Sequence, residues 1–128
     1  GSYDKYGTSY IAHSWLFGPK NAVGLLPDAY LTNIMKKRLP GTTLNKIDNP
    51  SRLILAGDKG WFDLSVPFRF TFGQWHGAPD SYNLAFFDGH VDYIRISRGI
   101  MVTEEYSVIP YSGIEGYVKS LQESESYP

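Results

Sequence analysis

The residue pair Asp88-Gly89, set between two runs that alternate apolar and polar residues, constrains the fold more than any other feature of the chain. A two-residue hairpin turn of type I′ needs positive φ at both central positions, which Asp tolerates and Gly adopts freely. A turn at these residues predicts that Phe87 pairs with His90 and Phe86 with Val91. The sequence therefore predicts a central antiparallel β-hairpin.

Period-2 alternation assigns every strand residue of this hairpin to one of two faces. The predicted apolar face contains Tyr82, Leu84, Phe86, Val91 and Tyr93. The predicted mixed face contains Asn83, Ala85, Phe87, His90 and Asp92. Because an isolated hairpin is marginally stable in water, we expect the apolar face to pack against other elements.

Four further segments carry secondary-structure patterns. Residues 29–38 follow Pro27-Asp28 and place Leu31, Ile34 and Met35 on one helical face. Residues 9–16 alternate as a strand, and the apolar run 53–56 is typical of a buried strand. Residues Ser112 to Glu115 resemble a capping box that opens a helix to about Gln122. The predicted fold class is α+β: a small antiparallel sheet of about four strands packed against a helix.

Length and composition limit the function classes. The chain has 128 residues, enough for one domain with a core, which we place at residues 3–128. Gly1-Ser2 resemble the remnant of a cleaved expression tag. Twelve basic against thirteen acidic residues give a net charge of -1, which argues against nucleic-acid binding. The absence of cysteine excludes disulfides, thiolate metal sites and cysteine nucleophiles.

The hairpin region also carries a family resemblance. His76-Gly77, Asn83 and Asp88-Gly89-His90-Val91 resemble the C-terminal signature of bacterial prepilin-type proteins, in which nine residues separate the His from Asp-Gly. These proteins are similar in plan to the pseudopilins of type II secretion. Eleven residues separate His76 from Asp88 here, and the loop at 78–81 can absorb the two extra residues at little cost.

Two other segments resemble the same family and occur in its order. Residues 46–58 are similar to its Lys-Ile-x-Asn-Pro-Ser segment with a following apolar run and Asp. Residues 8–16 are similar to its Ser-Tyr-x-x-Asn strand. The resemblance implies a non-catalytic structural subunit: a pilin-like globular head whose separate N-terminal helix anchors it in the inner membrane. That helix would then pack it among other pilin-like subunits in a periplasmic or cell-surface filament.

Metal binding is the first site hypothesis. His76, Asp88 and His90 are residue types that hold zinc, and Asp88, Asp80 and Asp58 are types that hold calcium. Since related major pseudopilins bind calcium in a C-terminal loop, the resemblance implies a structural Ca²⁺. Asp88 is equally explained as a turn residue, and structural hydrogen bonding explains both histidines.

Catalysis and glycan binding are the alternatives. The chain has no Gly-x-Ser-x-Gly, phosphate-binding loop or His-Glu-x-x-His, so we predict that it is not an enzyme. Trp61 and Trp75 could instead form a stacking platform in an extracellular carbohydrate-binding module. The competing explanation for these tryptophans is that they belong to the core.

Overall fold

The computed structural model describes residues 10–18, 22–24, 26–66 and 80–125. In chain order the elements are β1 (Tyr10–Ala12), α1 (Ser14–Phe17), α2 (Ala29–Arg38), a 3₁₀ turn (Leu44–Lys46), β2 (Ile54–Asp58), α3 (Trp61–Ser65), β3 (Asp80–Phe86), β4 (Val91–Ile96) and α4 (Ser112–Glu125). The fold is α+β, as predicted. None of the helices in this part of the chain is long and apolar enough to cross a membrane.

The four strands form one antiparallel sheet in the order β1-β2-β3-β4. Each strand pairs with its neighbour in sequence, and the β2–β3 register shifts between Ile54 and Ala56. The predicted Asp-Gly hairpin is the β3–β4 unit. It lies at one side of the sheet, so β4 is an edge strand and the hairpin is not central.

The hairpin register differs from the predicted one by a single residue. Ala85 pairs with Val91 and Leu84 with Asp92, and the Phe86 N–H donates to the His90 carbonyl. The loop therefore has three residues, 87–89, and Gly89 closes it with a φ of 96° and an N–H bond to the Phe86 carbonyl. Three-residue hairpin loops commonly combine a type I turn with a final left-handed residue. The two-residue type I′ prediction is wrong.

The shift exchanges the two faces of β4, because a one-residue slip moves every side chain to the opposite side of a sheet. Val91 and Tyr93 were predicted to be buried, yet they are 64% and 66% exposed. Ile94 and Ile96 point into the core in their place. The prediction was right for β3, where Leu84 and Phe86 are buried.

The core lies on the inner face of the sheet. Helices α2 and α3 and the segment 100–111 contribute most of the other buried side chains. Its largest fully buried members are Trp15, Trp61, Tyr106, Phe86, Leu31, Met35, Leu39, Leu53, Ile54, Leu84 and Ile96. The segment 100–111 makes only isolated β-bridges, at Val102 and Ser107, and is otherwise irregular although most of it is buried.

The helix predictions had mixed outcomes. Helix α2 has the predicted bounds, and the Asp28 carboxylate caps it by accepting from the Leu31 N–H at 2.9 Å. The strand predicted over 9–16 ends at Ala12. There the backbone turns into α1 and carries Trp15 into the core, with the Phe17 N–H bonded to the His13 carbonyl.

Helix α4 begins at Ser112, but the capping box is not formed as predicted. The Ser112 N–H and hydroxyl donate to the Asp48 carboxylate. The Glu115 carboxylate turns instead towards Arg52, a residue of the segment before β2.

Candidate functional site

The hairpin loop is organised by its own polar residues. The Asp88 Oδ1 atom accepts from the His90 backbone N–H at 3.1 Å and contacts the His90 Nδ1 atom. These two bonds to His90 lower the pKa of the exposed Asp88 carboxyl below its usual value, and the backbone bond has the larger effect. Asp88 therefore stabilises a tight turn, which is the structural role that the sequence analysis gave as its alternative to metal binding.

The loop is also held from both sides by the rest of the fold. The His90 ring stacks on the Phe86 ring with a 4.3 Å centroid separation and a 4° angle between planes. The Phe87 N–H donates to the Leu53 carbonyl, and the Asp88 N–H donates to the Pro50 carbonyl. The hairpin tip is thereby attached to Pro50 and Leu53, which lie within residues 46–58, the second segment that resembles the prepilin-type family.

Asn83 joins two strands on the outer side of the sheet. Its backbone N–H and its side-chain Nδ2 both donate to the Asp58 Oδ2 atom, at 2.8 and 3.1 Å. Asp58, at the end of β2, is thus a hydrogen-bond acceptor for the neighbouring strand. The motif residues Asn83, Asp88 and His90 all engage groups of this same fold.

The three carboxylates predicted as calcium ligands do not converge. Asp80 begins β3 and Asp88 lies in the loop after its far end, so the length of the strand, about 20 Å at ~3.3 Å per residue, separates them. The Asp80 Oδ1 atom accepts from the Ser81 N–H beside it, and Asp58 is bonded to Asn83. Among the described residues, no group of three or more His, Asp or Glu side chains could hold a metal ion. The described structure therefore does not bring these three carboxylates together.

Burial excludes the stacking role proposed for Trp61. The side chain has no exposed surface, and its Nε1 atom donates to the Ile11 carbonyl at 2.9 Å. It packs edge-on against Phe62 and against the buried His13 ring. Trp75, His76 and Gly77 lie outside the described residues.

Two exposed aromatic residues, Tyr10 and Tyr93, lie on the outer sheet face, which we define by two rows of paired residues, whereas the exposed Phe17 and Tyr30 lie on helices. One row contains Tyr10, Asp58, Asn83 and Tyr93, and the other contains Ala12, Ala56, Ala85 and Val91. Tyr10 and Tyr93, at the two ends of the first row, are 57% and 66% exposed. Three interstrand spacings place them about 14 Å apart. The outer sheet face is a shallow, largely apolar floor between two tyrosines.

A buried polar network that sequence reasoning missed connects α4 to the segment before β2. The Glu115 carboxylate accepts from both terminal nitrogens of Arg52, at 3.0 and 3.1 Å. It also accepts from the Asn49 Nδ2 atom at 2.7 Å, and the same amide donates to the Ile109 carbonyl. The Asn-Pro pair ahead of an apolar run was the only sequence signal for this network, since its partners are more than sixty positions apart.

An open cleft of about 400 Å³ lies over the network, with Glu104, Lys119 and Ser112 at its border. Its charged residues have both signs, and Arg52 and Glu115 on its floor already neutralise one another. Two carboxylates, those of Glu104 and Glu115, line the cleft, and the Glu115 carboxylate is already bonded to Arg52 and Asn49.

His13 is a further buried polar residue that the sequence analysis did not identify. Its Nε2 atom bonds to the Val108 carbonyl at 2.7 Å, while Nδ1 has no hydrogen-bond partner among the residues that the structure describes. Complete burial lowers the pKa of His13 from 6.5 to about 4. The ring is therefore neutral at physiological pH and fixes β1 against the segment 100–111.

Comparison with protein-family models, with curated proteins and with solved structures finds no match to this chain.

Proposed function

We propose that this chain is the globular head of a pilin-like structural subunit, similar to a prepilin-type or type II secretion pseudopilin. Its partners would be other pilin-like subunits, which assemble through an N-terminal helix that also provides the only membrane attachment. Its location would be periplasmic or at the cell surface. In this role the head supplies shape and contact surface and performs no chemistry.

One observation carries the proposal: Asn83, Asp88 and His90, motif residues that the structure describes, bond to other groups of the same fold. Asp88 and His90 hold the hairpin loop, and Asn83 ties β3 to Asp58. The second family-like segment meets the first physically, through the bonds from the loop to Pro50 and Leu53. This contact between two segments that resemble one family supports the proposal.

The deciding experiment is to read the natural coding frame upstream of Tyr3 and to identify the mature N-terminus by mass spectrometry. We expect a short basic leader ending in Gly, then Phe or Met, a Glu five residues into the mature chain and about 20 apolar residues. Electron microscopy of cells that express the whole gene should show filaments. A cleavable secretory signal peptide, or another soluble domain in that position, would contradict the proposal.

A second candidate function is extracellular carbohydrate binding. The observation in its favour is the pair Tyr10 and Tyr93, which flank two hydrogen-bonding side chains on the outer sheet face. Sugar rings stack on exposed aromatics, and polar groups between them fix orientation. Glycan-array binding that is lost in both Tyr10→Ala and Tyr93→Ala would favour this function. No binding across the array would remove it.

A further inference from the structure

The outer edge of β4 presents free backbone groups. In an antiparallel ladder, alternate residues turn their N–H and C=O groups towards the partner strand. His90 and Asp92 face β3, since Phe86 bonds to His90 and Leu84 pairs with Asp92. Val91, Tyr93 and Arg95 therefore direct their backbone groups away from the sheet. Within the described part of the chain, nothing accepts from the N–H of Val91 or Arg95.

The two edges of the sheet differ in length and protection. In the described part of the chain, the β1 edge has three residues, Tyr10–Ala12, whereas β4 has six. Short edge strands are a common protection against pairing with another chain, and long exposed ones are templates for it. Val91, Asp92, Tyr93 and Arg95 are all exposed, so the outer edge of β4 is accessible.

We propose that β4 pairs with β4 of a second copy of this chain, antiparallel, around a two-fold axis that passes between the two Tyr93 residues. Three hydrogen-bonded pairs form. Tyr93 pairs with the partner's Tyr93, Val91 pairs with the partner's Arg95, and the two-fold axis generates the equivalent pair of Arg95 with the partner's Val91. All the outward backbone groups of Val91, Tyr93 and Arg95 are then used. The two four-stranded sheets become one continuous sheet.

In this register the side chains of β4 are complementary to those of β4 in a second copy. This is why we infer that the partner strand comes from the same chain. The two tyrosines meet directly, and aromatic cross-strand pairs are favourable. Each Arg95 lies diagonal to the partner's Tyr93, within reach of its ring. No like charges are directly opposed, whereas a shift of the partner by two residues would place Asp92 opposite the partner's Asp92.

Asp92 restrains this pairing in the single copy. Its Oδ1 atom accepts from the Tyr93 N–H at 2.9 Å, which occupies the central donor of the edge. The pairing replaces that bond with one to the partner's Tyr93 carbonyl. Because a six-residue strand buries little area, the dimer is weak and depends on concentration.

Sedimentation equilibrium of the full chain over a wide concentration range tests the proposal. Tyr93→Lys places like charges across the two-fold axis and should weaken the dimer about tenfold or more. Tyr10→Lys is the matched control: an exposed tyrosine on the same face, at the opposite edge, which should leave the dimer unchanged. Asp92→Ala frees the Tyr93 N–H and should strengthen association.

Cross-linking tests the register. The chain has no cysteine, and paired residues in a hydrogen-bonded position lie about 5.5 Å apart at Cα, a disulfide-compatible distance. Mild oxidation should link Tyr93→Cys into a dimer and leave Tyr10→Cys monomeric. A monomeric wild-type chain at millimolar concentration would overturn the proposal. Equal loss of the dimer in Tyr93→Lys and Tyr10→Lys would overturn it too, because that result indicates face-to-face packing.

The inference is independent of the proposed filament function. It concerns the globular chain alone, and neither outcome of the sedimentation experiment changes what the upstream coding frame should contain.

Discussion

The Glu115 carboxylate on α4 holds both terminal nitrogens of Arg52, and the two side chains differ greatly in burial. Glu115 is 6% exposed at its side chain, while Arg52 is 33% exposed. The pair ties the C-terminal helix to the segment before β2, and the same carboxylate accepts from Asn49. A mutation on one side of this pair therefore has a different cost from a mutation on the other.

We predict that Arg52→Met destabilises the chain more than Glu115→Gln does. Loss of Arg52 leaves a buried carboxylate supported by one amide, which costs about 3 kcal/mol in the free energy of unfolding. Loss of the Glu115 charge leaves an arginine that can turn to water, which costs about 1 kcal/mol. Urea denaturation of both single mutants and the double mutant measures the difference. The reverse order would show that Arg52 is not what compensates the buried charge.

Gln122 should be as important to stability as an apolar core residue. Its Oε1 atom accepts from the N–H groups of Met101 and Val102, and its Nε2 atom donates to the Val102 carbonyl. Gln122→Leu leaves these three buried backbone groups without their hydrogen-bond partner, and we expect the free energy of unfolding to fall by about 3 kcal/mol. Ser120→Ala, at an exposed position of the same helix, is the control and should change the free energy of unfolding by less than about 0.5 kcal/mol. Chemical denaturation that gives equal midpoints for the two variants would contradict the role of Gln122.

Stability should fall as the pH decreases from 6.5 to 4, because of His13. Its pKa is about 4 in the folded chain against 6.5 when unfolded, so the unfolded state binds more protons in this window. Stability from the neutral ring is complete above pH 6.5 and is lost as the pH falls towards 4, by roughly 3 kcal/mol in total. Denaturant midpoints between pH 7 and 5 avoid most carboxylate titration. His13→Phe should flatten the curve there, and an unchanged slope would assign the pH dependence to other groups.

Gly89 is required for its backbone conformation and not for space. A Cβ atom at this position would meet nothing within 4 Å, but φ is 96°. Gly89→Ala should therefore cost about 1 kcal/mol, and Gly89→Asn less, because Asn tolerates left-handed backbone. Thermal unfolding of the two variants provides the comparison. Equal losses would mean that the loop adopts another turn when Gly89 is replaced.

Calcium should leave the melting temperature unchanged. Asp58, Asp80 and Asp88 are engaged separately and do not form a common coordination sphere. A ligand that binds only the folded state raises its stability in proportion to the logarithm of its concentration over Kd. Melts with millimolar CaCl₂, with chelator and with MgCl₂ as a charge control test this prediction. A rise with calcium alone would contradict it.

The sequence predicted elements better than it predicted contacts. Helix α2 was predictable to the residue, because an N-cap Asp and a 3.6-residue apolar period agree there. The hairpin was predictable in place but not in register, since Phe87-Asp88-Gly89 suits a three-residue loop as well as Asp88-Gly89 suits a two-residue one. Tertiary contacts favour the three-residue loop, because the loop N–H groups of Phe87 and Asp88 bond to residues 50–53.

The candidate site was less predictable, for the same reason. The buried positions of His13 and Trp61 depend on α1 and α3, two short helices with no periodic signal of their own. The Arg52–Glu115 pair joins positions whose charges look, in sequence, like ordinary surface residues. Asn83 and Asp88 could be named as motif residues from sequence, but only the folded chain shows that their partners are Asp58 and His90.

The length of the three-residue loop determines which side chains of β4 are exposed to water. The strand carries two alternative apolar sets, Val91 with Tyr93 and Ile94 with Ile96, and the number of residues between the strands selects which set water meets. A deletion of one loop residue could therefore invert the surface chemistry of the strand without any substitution in it. Insertions and deletions in this hairpin are thus a route by which related chains could diversify their outer surfaces while keeping nearly the same letters.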